Sequence, residues 1–303
     1  MKRLVLTLAI VALALSASAC GEGARSAGPP PPPDLTPPAT APPTVTAPVQ
    51  GPQGAVSLEV WFARPEIEAQ GVSNPKLFVT HRKIEATDAV GTAAINELLA
   101  GPTGEEAAAD VSSVVPPDTR LLGLNIEDGL ATVDLSSEFE SGGGSLSMQM
   151  RLAQVVYTLT QFPTVTKVEF RLDGEPVRVF SGEGIVLDKP VSRADYEELM
   201  PAILVSTPAI GDMVASPTLI NGNANVFEAN VTVKIVDAAG KELGGGVVTA
   251  TCGTGCRGDF SIVVSFKAQP PGTKGFVVVQ DDDAADQGFP PHQVKIPVEF
   301  ARS

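Results

Sequence analysis

Eleven prolines crowd residues 21–55: five in a row at 29–33, then Pro37, Pro38, Pro42, Pro43, Pro48 and Pro52. Thr, Ala and Gly fill the gaps, and no apolar periodicity runs through them. Such a stretch cannot bury enough surface to offset the entropy of ordering it. It reads as a disordered tether, extended in polyproline II at ~3.1 Å per residue and so reaching about 100 Å. What folds must follow it. About 248 residues remain, more than one core usually needs, so two domains are expected.

The segment before the tether sets the compartment. Lys2 and Arg3 precede an almost unbroken apolar run at residues 4–15, with small Ala17, Ser18 and Ala19 after it. Twelve residues fall well short of the roughly 20 that cross a bilayer. They have the length of a signal-peptide core, so residues 1–19 are assigned to a signal peptide. Cys20 follows directly, and two readings stand. Leu-Ser-Ala-Ser-Ala-Cys20 resembles a lipobox, which makes Cys20 the lipidated first residue of the mature chain. Ala17-Ser18-Ala19 equally fits ordinary secretory cleavage. The cysteine count favours lipidation. Of the three, Cys252 and Cys256 can pair with each other, and an odd cysteine in an exported chain needs an explanation. Acyl chains of the palmitate kind anchor firmly when there are two or more, at about 0.8 kcal/mol per buried methylene.

Charge excludes a class of partner. The chain carries 21 basic and 35 acidic side chains, and losing Lys2 and Arg3 leaves 19 against 35. Nucleic-acid affinity comes from Lys and Arg neutralising phosphates, so no nucleic acid is expected. Residues 56–200 hold 11 basic and 23 acidic groups and residues 201–303 hold 7 and 10, so the first folded region is the acidic one.

That first region, 56–199, mixes helix and strand patterns. Val56-Ser-Leu-Glu-Val-Trp-Phe62 alternates like a strand, and residues 76–84 read as a second. Thr87 is placed to cap a helix ending at Ala100 before Gly101-Pro102. Gly91, Ala94, Ile95 and Leu98 fall on one face of it. Residues 119–126 and 130–135 flank Glu127-Asp128-Gly129, and Asp-Gly is a hairpin signal. Ser145 is placed to cap a second helix to Phe162, with Leu146, Met150, Ala153 and Tyr157 on its apolar face. Residues 166–172 and 177–180 read as a second hairpin around Asp173-Gly174. The order predicts an α+β domain, a small sheet with packed helices.

Residues 200–303 read as all β. Val231, Val233 and Ile235 alternate with polar residues, as do Phe260, Ile262, Val264 and Phe266, and Val294, Ile296, Val298 and Phe300. Turn signals stand at Asn221-Gly222, at Asp237 to Gly240 and at Pro271-Gly272. About seven short strands predict an immunoglobulin-like sandwich, with Pro297 placing the last strand on an edge.

Residues that could carry chemistry are few. Cys252-Gly-Thr-Gly-Cys256 lies between two strands and reads as a small disulfide loop. A metal would need further ligands, and His81 and His292 lack ligand spacing, so no metal and no cofactor are expected. Serine nucleophiles lack a placed base, and no Gly-x-Ser-x-Gly elbow occurs. Asp134, Glu138 and Glu140 follow a strand and read as a solvated edge, against the alternative of a glycosidase pair. Gly142-Gly143-Gly144-Ser145 has no Lys-Ser/Thr pair, which rules out a nucleotide P-loop. Asp281, Asp282, Asp283 and Asp286 lack the EF-hand spacing.

Several segments in order carry a resemblance. They are Glu97-Leu-Leu-Ala-Gly-Pro-Thr103, Pro117-Asp-Thr-Arg-Leu-Leu-Gly123, Ala131-Thr-Val-Asp-Leu-Ser-Ser-Glu-Phe139, Ala153-Gln-Val-Val-Tyr-Thr-Leu-Thr-Gln-Phe162 and Phe170-Arg-Leu-Asp-Gly-Glu-Pro-Val177. Together they resemble a GerMN domain, the sporulation and spore germination module. Residues 201–208, Asn225-Val-Phe227 and Thr254-Gly-Cys-Arg-Gly-Asp-Phe260 are similar to the immunoglobulin-like domain of bacterial spore germination. The resemblance implies an envelope protein with an interaction or assembly role, in spore germination or beside a sensor. It brings no catalytic residues, so the chain is expected not to be an enzyme. Its expected location is the extracytoplasmic face of the bacterial cell membrane, held through Cys20, or otherwise outside the cell. Its expected partners are other envelope proteins. The competing expectation is a peptidoglycan or small-ligand binding protein, which would show exposed aromatics with Trp61 or Tyr157 at their edge. Both lie in apolar elements and are expected to be buried.

Overall fold

The computed structural model describes residues 54–66, 74–281 and 292–301. The signal peptide, Cys20, nearly all of the tether, and Asp282, Asp283 and Asp286 lie outside the described residues.

The first half opens with β1 (Ala55–Pro65) and β2 (Pro75–Glu85), paired antiparallel from Ala55↔Glu85 to Pro65↔Pro75. Helices α1 (Val90–Ala100) and α2 (Gly104–Ala108) follow. Next come β3 (Leu121–Glu127) and β4 (Gly129–Leu135), then the long helix α3 (Ser145–Leu159) and β5 (Val165–Leu172). Three two-residue strands complete this half: β6 (Glu175–Pro176), β7 (Val179–Phe180) and β8 (Ile185–Val186). The expected α+β fold is present, with its first two strands forming a ribbon of their own. The main sheet runs β3-β4-β5-β6. In it β4 and β5 are parallel, and a parallel neighbour needs a crossover, which α3 supplies.

Side-chain spacing explains most of these elements. Gly91, Ala94, Ile95 and Leu98 are the buried face of α1, as their periodicity predicts. The helix starts at Val90, because Thr87 spends its hydroxyl on the Ala89 N–H in the loop before it (3.2 Å). The residue capping α3 is Gly144, and Ser145 is the first helical residue, its hydroxyl held by the Glu183 carboxylate. Leu146 is 42 % exposed, while Met148 and every residue from Met150 to Leu159 are buried. The Asp173-Gly174 hairpin holds two pairs only. Past it, the Val177 N–H still donates to the Phe170 carbonyl (3.0 Å). The chain then turns Phe180 in against Phe139 (ring centroids 5.4 Å), and β7 pairs with β8.

A polar stripe along α3 and just past its end covers the outer edge of β1. Gln161 accepts from the Glu59 N–H (2.8 Å) and donates to the Glu59 carbonyl (2.7 Å). Thr158 accepts from the Trp61 N–H (3.1 Å), and Gln154 donates to the Trp61 carbonyl (3.0 Å). Ser112 exchanges two backbone bonds with Ala63, each 2.8 Å. The edge of β1 is therefore satisfied at each alternate residue by side chains and a bridging segment.

The second half contains β9 (Ile203–Thr207), β10 (Met213–Val214), β11 (Thr218–Ala224) and β12 (Asn230–Asp237). After them come β13 (Glu242–Thr249), β14 (Gly258–Val264), β15 (Lys274–Asp281) and β16 (Gln293–Phe300). They form two sheets, β10-β16-β15-β12-β13 and β14-β11-β9, the expected sandwich. Two local expectations change. Asn221-Gly222 is no turn but lies inside β11, where a Cβ on Gly222 would stand 2.0 Å from the Leu204 carbonyl oxygen. The missing side chain permits close backbone approach at a register shift in the β11–β9 pair. Pro297 is not on a bare edge either, since Gly211 N–H donates to its carbonyl (2.9 Å) and β10 flanks the strand at Glu299 and Phe300.

One contiguous hydrophobic core runs through both halves. Polar bonds stitch the seam. Arg257 reaches Glu197 (2.8 Å), Asn223 (3.0 Å) and the Pro201 carbonyl (2.7 Å), and Glu66 accepts from the Ala202 N–H (2.7 Å).

Candidate functional site

The groups singled out from the sequence are dispersed into architectural roles. Cys252 and Cys256 are joined by a disulfide, Cα atoms 5.8 Å apart, in the loop that carries the chain from one sheet of the sandwich to the other. Asp134 accepts from the Gly174 N–H (3.0 Å) and so fixes the second hairpin. Glu138 faces Arg120 at 3.4 Å on the surface, with its carboxyl held below the usual range by the Ser136 hydroxyl first and Arg120 last. Glu140 is exposed.

The glycine loop before α3 turns a carbonyl inward. Buried Arg151 donates to the carbonyls of Val114, Phe139 and Gly142, each at 2.8 Å. Burial holds its pKa below the ordinary arginine value. His81 is half-buried in β2, and His292 Nδ1 lies 2.9 Å from an Asp281 carboxylate oxygen. Among the described residues no three His, Cys, Asp or Glu side chains converge as metal ligands, and no helix is long and apolar enough to cross a membrane.

Trp61 and Tyr157 are buried, as expected, with ring centroids 4.8 Å apart. Arg193 packs over both rings, at 5.4 and 4.8 Å. Burial, with help from the Glu197 charge, pushes the Tyr157 phenol up to about 12.

A cavity of about 290 Å³ lies at the seam, and sequence reasoning missed it. Arg64, Lys76, Phe78, Asp110, Phe276 and Lys295 contribute to its lining. Arg64 is the centrepiece. It donates to the Ala109 carbonyl of the first half and the Lys295 carbonyl of the second, both at 2.9 Å, and lies 4.9 Å over the Phe78 ring. Desolvation lowers its pKa, and Asp110 opposes that shift. The lining cations outnumber the acids in a chain that is acidic overall. No spacing signal in the sequence links residues 64, 76 and 295, so the site is legible only in three dimensions.

Comparison with known proteins bears on what this architecture is. Residues 60–178 match the family model for sporulation and spore germination, and residues 202–287 match that of the immunoglobulin-like domain of bacterial spore germination. The chain carries a GerMN domain followed by a spore-germination immunoglobulin-like domain. The GerMN segment is similar to the spore germination protein GerM of Bacillus subtilis (strain 168), 29 % identical over 119 residues. That match covers 39 % of this chain and spans 31 % of the relative's length. Among solved structures, the first GerMN domain of the Bacillus subtilis sporulation protein GerM is 25 % identical, with a TM-score of 0.36. It covers 46 % of this chain and 99 % of its own. The tandem GerMN domains of the same protein are 18 % identical with a TM-score of 0.37, covering 65 % of this chain and 60 % of theirs.

Proposed function

We propose that the chain is a non-catalytic interaction or assembly module of the bacterial envelope, of the sporulation and germination kind. Acyl chains on Cys20 would hold it on the outer face of the cell membrane, and the tether would lift its two domains clear of the surface. The observation that carries this reading is the pairing of two spore-germination domains in one chain. It is supported by the work its ionisable groups do. Asp134, Arg151, Arg193 and Arg257 each hold the fold. Crosslinking in intact cells tests it. The reading expects a specific envelope protein in the adduct, and recovery of nothing beyond lipoprotein-processing enzymes would count against it.

The seam cavity favours one second reading, a small-ligand role. A ligand with an apolar body and one anionic group would match Phe78 and Phe276 beside Lys76 and Lys295. A wall-glycan role loses its aromatic edge because Trp61 and Tyr157 are buried. Sedimentation with purified peptidoglycan separates the two: pelleting of the chain would revive the glycan reading.

A further inference from the structure

The seam cavity has the build of a binding site. Its volume of about 290 Å³ falls just under the range of about 300–1,000 Å³ that drug-sized ligands fill. Pro65, Pro201 and Pro297 line it with rigid rings that carry no N–H, so the wall is stiff before anything binds. Phe78, Ile203 and Phe276 add apolar surface. Beside this wall the charge of Arg64 is left under-compensated. Its Nε and Nη2 donate to the Ala109 and Lys295 carbonyls, its Nη1 is buried with no partner, and it forms no ion pair among the described residues. Asp110 acts on it from beyond contact distance, and burial outweighs that help. Lys76 donates to the Glu198 carbonyl (2.9 Å), which brings no opposite charge. The exposed Lys295 ammonium bonds nothing among the described residues. Of the two acids in the lining, Glu66 accepts from the Ala202 N–H and Asp110 is exposed, while His292 is paired with Asp281.

We propose that the cavity binds a small monocarboxylate whose apolar body is a single ring or a short branched chain, held between the two domains. The charge of the ligand follows from the lining. Arg64, Lys76 and Lys295 stand against Glu66 and Asp110, an excess of one cation in a chain whose net charge is −14. A cation taken from water favours an anion nearby, because their attraction strengthens as water is excluded. Phosphate is the poorer match. The guanidinium fork that would grip it already holds two carbonyls, and the three prolines offer no N–H to it. The size of the ligand follows from the volume, which leaves room for a small body only. The walls come from both domains, so the occupant meets Phe78 of the first and Phe276 of the second. The inference rests on the small-ligand reading above and adds the charge and the size of the ligand.

The test is calorimetric titration of the full chain in lipid nanodiscs, with empty nanodiscs as the blank. The probes are phenylpropionate, its neutral match phenylpropanol and its cationic match phenylpropylamine. The carboxylate should bind with a dissociation constant below about 1 mM, about tenfold tighter than the alcohol, and the amine should not bind. Ala108→Trp sets a large ring at the lining and should abolish binding. Lys295→Glu should weaken the carboxylate by about tenfold and leave the alcohol unchanged. Both positions are exposed, and unchanged unfolding midpoints without probe would certify the fold. Carboxylate binding that survives Ala108→Trp in a folded chain overturns the proposal. Equal binding of carboxylate and alcohol, both lost in Ala108→Trp, overturns the anionic assignment and leaves the small-ligand reading standing. No binding by any probe overturns the two together and leaves the assembly reading untouched.

Discussion

At the residue scale, identity matters where space or charge is already committed. Gly222 has an ordinary backbone but no room, since a Cβ would meet the Leu204 carbonyl oxygen at 2.0 Å and the Phe260 ring at 2.6 Å. Gly222→Ala should therefore destabilise by about 3 kcal/mol in urea titration. Gly104, first in α2, has nothing within 4 Å of its missing Cβ, and Gly104→Ala should stabilise by roughly 0.4–1 kcal/mol. Similar effects at the two sites would contradict the packing described. Glu106 is a second committed residue. Burial pushes its carboxyl up, but two Arg82 bonds (2.6 and 2.7 Å) and the Thr103 N–H outweigh it, so the net pKa is lowered. A lowered folded pKa gives stability above the unfolded value of about 4.3, lost as pH falls through the folded one. Unfolding midpoints should fall less steeply with acid, between about pH 5 and pH 3, for Glu106→Gln than for the natural chain.

At the element scale, a helix serves as the neighbour that β1 lacks. Gln154 is fully buried, donating to the Trp61 carbonyl and accepting from the Val114 N–H (3.2 Å). Gln154→Leu leaves two buried backbone groups unpaired and should cost about 2–4 kcal/mol. A loss under about 1 kcal/mol would show that the edge is not held this way. Periodicity made the helices and most strands legible, because burial follows the 3.6 and 2.0 repeats directly. It could not announce the stripe of Gln154, Thr158 and Gln161, whose polar side chains read as solvent-facing until β1 lies against them. Nor could it tell that Asn221-Gly222 is a strand interior, because Asn-Gly reads as a turn unless a close neighbour is known. Arg64 was illegible for a related reason: its partners, Ala109 and Lys295, are carbonyls remote in sequence.

At the scale of the whole molecule, the two domains share one core and a bonded seam at Arg64, Glu66 and Arg257. Calorimetry should show one cooperative transition, and two resolved transitions would contradict a common core. The proposed function has the protein working outside the cytosol, presenting surfaces from a tether that acyl chains on Cys20 would anchor. The most direct check is mass spectrometry of the amino terminus of the protein recovered from its own cells. The account predicts a mature chain beginning at an acylated Cys20 in the membrane fraction. An intact Met1 on soluble intracellular protein would contradict it.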